Sequence, residues 1–193
     1  MPRTPRARQG LFRHPAQAVT AGFVAVIFIG AGLLCIPAAS TAQGSPPFVE
    51  ALFTATSAVT VTGLTTVDTA TYWTPFGQGV ILILIQLGGL GIMTSASLLF
   101  LAVVRRLNLR GSLRAQTEVH ALGIGDLRRL LVFILAFTLA FEVVVSTALA
   151  MRLWLGAGRD LPTAAWEGAF HGVSAFNNAG FSLFGDNLVG FAT

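Results

Sequence analysis

The stretch TATSAVTVTGLTTVD, residues 54 to 68, carries six threonines, one glycine and no basic side chain, and it lies between two long apolar segments. Shifting the sequence against itself by 117 residues shows that this stretch has a partner. EALFTATSAVTVTGL (Glu50 to Leu64) then falls on EGAFHGVSAFNNAGF (Glu167 to Phe181), with identities at Glu50/Glu167, Phe53/Phe170, Ser57/Ser174, Ala58/Ala175 and Gly63/Gly180. Five matches in fifteen exceed the roughly one that average residue usage would give, so the chain contains an internal repeat.

Each copy follows an apolar segment. A bilayer-crossing helix needs about 20 predominantly apolar residues, and three segments meet that length. The first spans residues 16–36 and stops at Pro37, which cannot continue a helical hydrogen-bond ladder. Its arginine-rich approach and the AASTA that follows also suit a signal peptide, but the apolar run is longer than the usual signal core. The second spans 75–104 and contains no charge, and as one helix of about 45 Å it must tilt, break or protrude. Gly88, Gly89 and Gly91 within it suit close approach by a neighbour better than a hinge. The third spans 127–155 and holds Glu142 near its middle, where a hydrogen bond to an adjacent helix is the expected role and a direct part in transport the alternative.

The chain is 54% hydrophobic and 10% charged, with mean hydropathy +0.74, which places it among integral membrane proteins. Its basic residues are all arginine. Arg3, Arg6, Arg8 and Arg13 precede the first span, and Arg105, Arg106, Arg110, Arg114, Arg128 and Arg129 lie around the connection from the second to the third. Residues 36–77 have none, so the amino terminus and this linker are expected on the cytoplasmic side and the threonine-rich stretch outside. The isoelectric point near 11.0 would suit nucleic acid, but these arginines lack the interleaved aromatics that stack on bases. One cysteine, Cys35, excludes a disulfide framework and a thiolate metal cluster.

Between the first two spans, PPFVEALFTATSA reads as a short helix with Pro46 and Pro47 in its first turn and Glu50 near the positive end of its dipole. The expected fold is an all-α integral membrane protein built from repeats of outer helix, re-entrant pore helix, filter loop and inner helix. Residues 1–15 form a cytoplasmic segment. The first repeat, 16–104, has an outer helix at 16–36, a pore helix at about 47–58, a filter at 60–64 and an inner helix at 75–104. A cytoplasmic linker at 105–126 leads to an incomplete second repeat, 127–193, with an outer helix at 127–155, a pore helix at about 163–175 and a filter at 177–181.

Irregular backbone at membrane depth survives only where protein covers it or water reaches it. In TVTGL the groups able to act on an ion are backbone carbonyls, since glycine lets successive oxygens turn toward one axis and such oxygens can replace the hydration shell of an alkali cation. The carboxyl end of the short helix, with roughly half a negative charge, favours a cation at the same place.

ATSAVTVTGLTTVD, PFGQGVILILIQLGGLGIMT and FHGVSAFNNAGFSL together resemble the Trk/Ktr/HKT superfamily of potassium transport proteins, over about residues 12 to 181. The resemblance implies a potassium-channel-like fold of four repeats around one pore, with the four loops forming a selectivity filter. By position it assigns Thr60, Val61, Thr62 and Gly63 to the first filter strand and Asn177, Asn178, Ala179 and Gly180 to the second, with glycine at Gly63 and Gly180 favouring potassium over sodium. It further implies potassium as the transported substrate, no cofactor in this chain, no enzymatic activity, a homodimer in the bacterial inner membrane, and a cytoplasmic nucleotide-binding regulatory subunit. The linker would contact that subunit or anionic lipid. Because the sequence stops within the second unit, it is expected to be the front portion of a longer protein; the alternative is a non-conducting scaffold or truncated fragment.

Other side chains are expected to serve structure. Glu50 and Glu167 are placed at equivalent helix starts, and Asp68 at a solvated outer mouth. His171 and Ser174 lack the orienting acid and oxyanion pocket of a hydrolase, and replacing His171 by threonine, its counterpart in the first copy, is expected largely to spare transport. His14 and His120 form no metal cluster with other residues.

Overall fold

The computed structural model describes residues 15–42, 44–111 and 124–185. The arginines before residue 15, His14, His120, the middle of the linker and residues 186–193 lie outside them. The described residues form six α-helices: α1 Pro15–Leu34, α2 Phe48–Val59, α3 Thr69–Tyr72, α4 Pro75–Gly111, α5 Ile124–Gly156 and α6 Leu161–Phe176. A single 3₁₀ turn, Pro37–Ala39, follows α1. Among the described residues, three helices are long and apolar enough to cross a membrane, over Gln17–Leu34, Pro75–Ser97 and Arg128–Gly156. Their outward surfaces carry Phe28, Ile29, Val132, Phe133, Val143 and Val144 exposed, as lipid-facing helices do.

The helix α4 is unbroken through Gly88, Gly89 and Gly91 and runs about 55 Å, seven residues past the end expected at 104. Hydropathy falls at Arg105, but arginine is a good helix former, so loss of apolarity does not end the helix. The three glycines are contact points. A Cβ at Gly88 would collide with the backbone of Val59, one at Gly89 with the side chain of Asn177, and one at Gly91 would lie 2.9 Å from the ring of Phe23. Thus α4 receives the ends of both short helices on adjacent residues.

The short helices pack by a shared device. On α6, Gly168 and Gly172 lie against Ser146 and Ala150 of α5, where a Cβ at Gly168 would lie 2.8 Å from the Ser146 carbonyl oxygen. Their counterparts on α2 are Ala51 and Ala55, both fully buried where α2 meets α1 and α4. Small residues one turn apart let backbones come close and dispersion contacts accumulate, which is what holds helices together in lipid. The core lies between α1, α2, α4 and α6, with Trp73, Ile81, Ile85 and Phe170 at its centre.

The connections that flank α2 and α3 are tied by hydrogen bonds. Thr41 donates its N–H to the Tyr72 carbonyl (2.9 Å) and Thr74 donates to the Ala39 carbonyl (3.0 Å). The two halves are joined where the Trp166 indole N–H donates to Gln78 Oε1 at 2.9 Å.

Candidate functional site

Both short helices end in the same way. After α2, Thr60 N–H bonds Thr56 O (2.9 Å), Val61 N–H bonds Ala58 O (3.2 Å) and Thr62 N–H bonds Ser57 O (2.9 Å). After α6, Asn177 bonds Val173 O (3.1 Å), Asn178 bonds Ala175 O (3.0 Å) and Ala179 bonds Ser174 O (2.7 Å). These are the paired closing bonds of a Schellman motif, which needs a left-handed residue just past the helix. Val61 and Asn178 fill that place with φ 55° each, and Gly63 (77°) and Gly180 (73°) repeat the left-handed conformation two residues later. A branched residue such as valine in this region is strained, and it persists because the flanking bonds over-determine it.

The two loops meet. A Cβ on Gly63 would lie 2.5 Å from the Ala179 carbonyl oxygen and 3.1 Å from Cα of Gly180, and one on Gly180 would lie 3.2 Å from Cα of Gly63. Gly63 is held to glycine by φ and by space, and Gly180 by φ with a tight but less severe contact. Of the other residues assigned to the strands, Thr60, Thr62 and Asn178 are exposed, Val61 is half-buried, and Ala179 and Asn177 are buried. Helices α2 and α6 both end at this junction, so two partial negative charges converge on it. An open cavity of about 1240 Å³ adjoins it, lined by Gly63, Asp68, Arg152, Asn178 and Gly180 among others.

Polar side chains brace each loop. The Thr60 hydroxyl donates to Thr56 O (2.8 Å) and shares a 2.5 Å hydrogen bond with Thr62. Ser174 donates to Phe181 O at 2.7 Å. His171 accepts the Leu183 N–H at Nε2 (3.1 Å), which leaves Nδ1 to donate to Glu167 O (2.7 Å), and its ring stacks on Phe184 at 4.4 Å. Histidine and serine are thus committed to loop support. Asn177 reaches farthest: its Nδ2 donates to Glu142 Oε1 and to Val173 O, both at 3.0 Å. Gln86 Nε2 donates to the other Glu142 oxygen at 3.0 Å. Glu142 therefore has the expected hydrogen bonds to neighbouring helices. Gln86 is a residue that hydropathy passes over, although a lone amide in an uncharged run marks a position needing a partner.

The two repeat glutamates are not equivalent in place. Glu50 lies in the first turn of α2 and accepts the Tyr72 hydroxyl at 2.7 Å. That bond, with burial and the carboxylate charge, pushes the Tyr72 phenol up to about 12. Glu167 lies in the second turn of α6 because the helix starts earlier, at Leu161, and it pairs with Arg159 at 3.6 Å. Asp160 caps α6, and the Thr163 hydroxyl and N–H hold its carboxyl below the usual range. The Asp-Leu-Pro-Thr run, an N-cap followed by proline in the first turn, announces that start in the sequence. Asp68 likewise caps α3 through Ala70 N–H (2.8 Å). Among the described residues no group of three histidine, cysteine or acidic side chains could hold a metal ion.

The family model TrkH, described as cation transport protein, matches residues 2–193. The chain is 40% identical over 182 residues to Ktr system potassium uptake protein B of Bacillus subtilis, covering 92% of this chain and 39% of that protein. It is 37% identical over 175 residues to the potassium/sodium uptake protein NtpJ of Enterococcus hirae, covering 91% and 38%. Against Ktr system potassium uptake protein B of Vibrio alginolyticus it is 38% identical, covering 88% and 36%. The chain therefore spans about two fifths of the length of these curated relatives.

Proposed function

This chain belongs to the TrkH family of cation transport proteins, and from that premise we propose that it supplies part of a potassium-selective permeation path. Residues Thr60 to Gly63 and Asn177 to Gly180 are two strands of a selectivity filter, α2 and α6 are the pore helices behind them, and potassium is the substrate. The relatives' names, which specify potassium or potassium/sodium uptake, support the choice of ion.

The observation that carries the reading is the abutment of Gly63 and Gly180 in matched left-handed conformations. In an extended strand successive residues point to opposite sides. A left-handed residue at every second position breaks that alternation and lets consecutive carbonyls face one side, where they can replace water around a dehydrated ion. The converging carboxyl ends of the pore helices add attraction for a cation without adding a hard ligand. Two strands enclose an ion on two sides, and two further repeats of the family plan would close the others. On this reading the short helices re-enter an inner membrane, the amino terminus is cytoplasmic, and the assembly is a homodimer with a cytoplasmic nucleotide-binding regulator.

The test is potassium uptake by a bacterium lacking its own uptake systems, with this chain expressed in its full reading frame. Gly63→Asp should abolish uptake at unchanged membrane abundance. Uptake at the unsubstituted rate would overturn the proposal.

A further inference from the structure

The two filter loops are braced differently. Thr60, first residue of the first loop, is held by its own neighbourhood, through Thr56 O at 2.8 Å and the Thr62 hydroxyl at 2.5 Å. Asn177, its counterpart, is held from two membrane-spanning helices. Its Nδ2 bonds Glu142 Oε1 of α5 at 3.0 Å and approaches Gln86 Oε1 of α4 at 3.4 Å, while Gln86 Nε2 bonds Glu142 Oε2 at 3.0 Å. All three side chains are buried or half-buried, with Glu142 only 4% exposed. Gly89 completes the arrangement, since any Cβ there would occupy the place of the Asn177 carbonyl oxygen.

A carboxylate in a membrane span is costly unless its oxygens are satisfied. Here each oxygen takes one amide hydrogen, and among the described residues no basic side chain forms an ion pair with Glu142. An ionised carboxyl group only accepts, whereas an amide both donates and accepts. With Asn177 Nδ2 facing both partners, the three contacts match donor to acceptor when 142 and 86 are one carboxylate and one amide, and one contact is mismatched when both are amides; Asn177 Oδ1 lies outside these contacts, buried without a partner.

We propose that Glu142 and Gln86 are positioning residues for ion selection, acting through Asn177 to fix where the second filter strand leaves α6. The inference rests on the reading of residues 177–180 as filter. It makes the second strand sensitive to the relative placement of α4 and α5, a dependence that the first strand, closed on itself, does not share.

The triad permits a decisive swap. In Glu142→Gln combined with Gln86→Glu, residue 142 donates to 86 and Asn177 donates to both, so every hydrogen bond is kept with the charge moved by one side chain. The full-reading-frame protein is assayed for potassium uptake and sodium competition, normalised to membrane abundance. Glu142→Gln alone should raise the KM for potassium roughly tenfold and reduce preference over sodium, the effect of losing one charge-assisted hydrogen bond. The swap should return KM to within about threefold, as expected for a coupled pair. An unchanged KM and preference in Glu142→Gln, or a swap no better than the single variant, would overturn the proposal. Should Glu142→Gln fail to reach the membrane, a swap that inserts and transports supports the triad, and a swap that also fails to insert overturns it. If the unsubstituted protein transports no cation, the failure belongs to the functional reading instead.

Discussion

A methyl group on Gly63 would lie 2.5 Å from the carbonyl oxygen of Ala179, whereas one on Gly180 would meet its nearest atom, Cα of Gly63, at 3.2 Å. Both positions have φ above 70°, so each alanine is strained, but only Gly63→Ala also drives a carbon into a backbone oxygen. Gly63→Ala should therefore reduce potassium uptake more than Gly180→Ala, by about tenfold or more for an added 1.4 kcal/mol. Gly180→Ser should weaken discrimination against sodium while leaving uptake measurable. Paired uptake assays with potassium and sodium check both, and an inverted order would place the tighter junction elsewhere.

Ser57 and Ser174 occupy the same position in the two copies, yet only Ser174 has a partner, the Phe181 carbonyl at 2.7 Å, while Ser57 Oγ is buried without one. Ser174→Ala should destabilise by about 1 kcal/mol, the net worth of a typical hydrogen bond, and Ser57→Ala should be neutral or slightly stabilising. Thermal unfolding of the detergent-solubilised protein measures the difference.

Alanine substitutions along the long helices should separate contact glycines from lipid-facing ones. Gly88→Ala and Gly89→Ala force a carbon into the Val59 backbone and the Asn177 side chain, and overpacking of this kind costs about 1–3 kcal/mol. Gly22 and Gly32 of α1 face open space, so alanine there should gain helix propensity, up to about 1 kcal/mol. Opposite shifts in unfolding temperature are the expected result.

His171→Thr should lower stability rather than pass unnoticed. Threonine is too short to take the Leu183 N–H or to stack on Phe184, so a backbone donor loses its acceptor at about 1–3 kcal/mol. A lowered unfolding temperature with preserved potassium preference is expected, because residues 177–179 keep their own bonds to α6.

The Tyr72 phenol ionises near 10.0 when unperturbed and near 12 beside Glu50, so the folded state holds its proton longer than the unfolded state. Its contribution is complete below about pH 10 and is lost as pH rises toward 12. Tyr72→Phe should flatten that alkaline decline in stability, followed by denaturation at pH 9 to 12. An unchanged slope would mean that the Tyr72–Glu50 bond does not form.

The three apolar runs read from hydropathy each fall on a long helix, since an apolar run is a property of consecutive residues that solvent partitioning reads directly. Hydropathy misplaced the end of α4, because helix propensity carries through Arg105 and Arg110 after apolarity has ended. The start of α6 was legible in Asp160 and Pro162 but lay outside the frame of the repeat, and so Glu167 falls in its second turn instead of its first.

The repeat is visible in the sequence alone as five identities at a shift of 117 residues, and the structure closes the short helix of each copy with the same three hydrogen bonds. Such bonds connect residues three to five apart, and a local motif can encode them. Tertiary structure alone decided that Gly63 meets Gly180, that Gly88 and Gly89 receive the two helix ends, and that Asn177 is held by residues 91 and 35 positions away. Those pairings depend on how whole helices cross and how closely small side chains let them approach, quantities no local stretch of sequence contains.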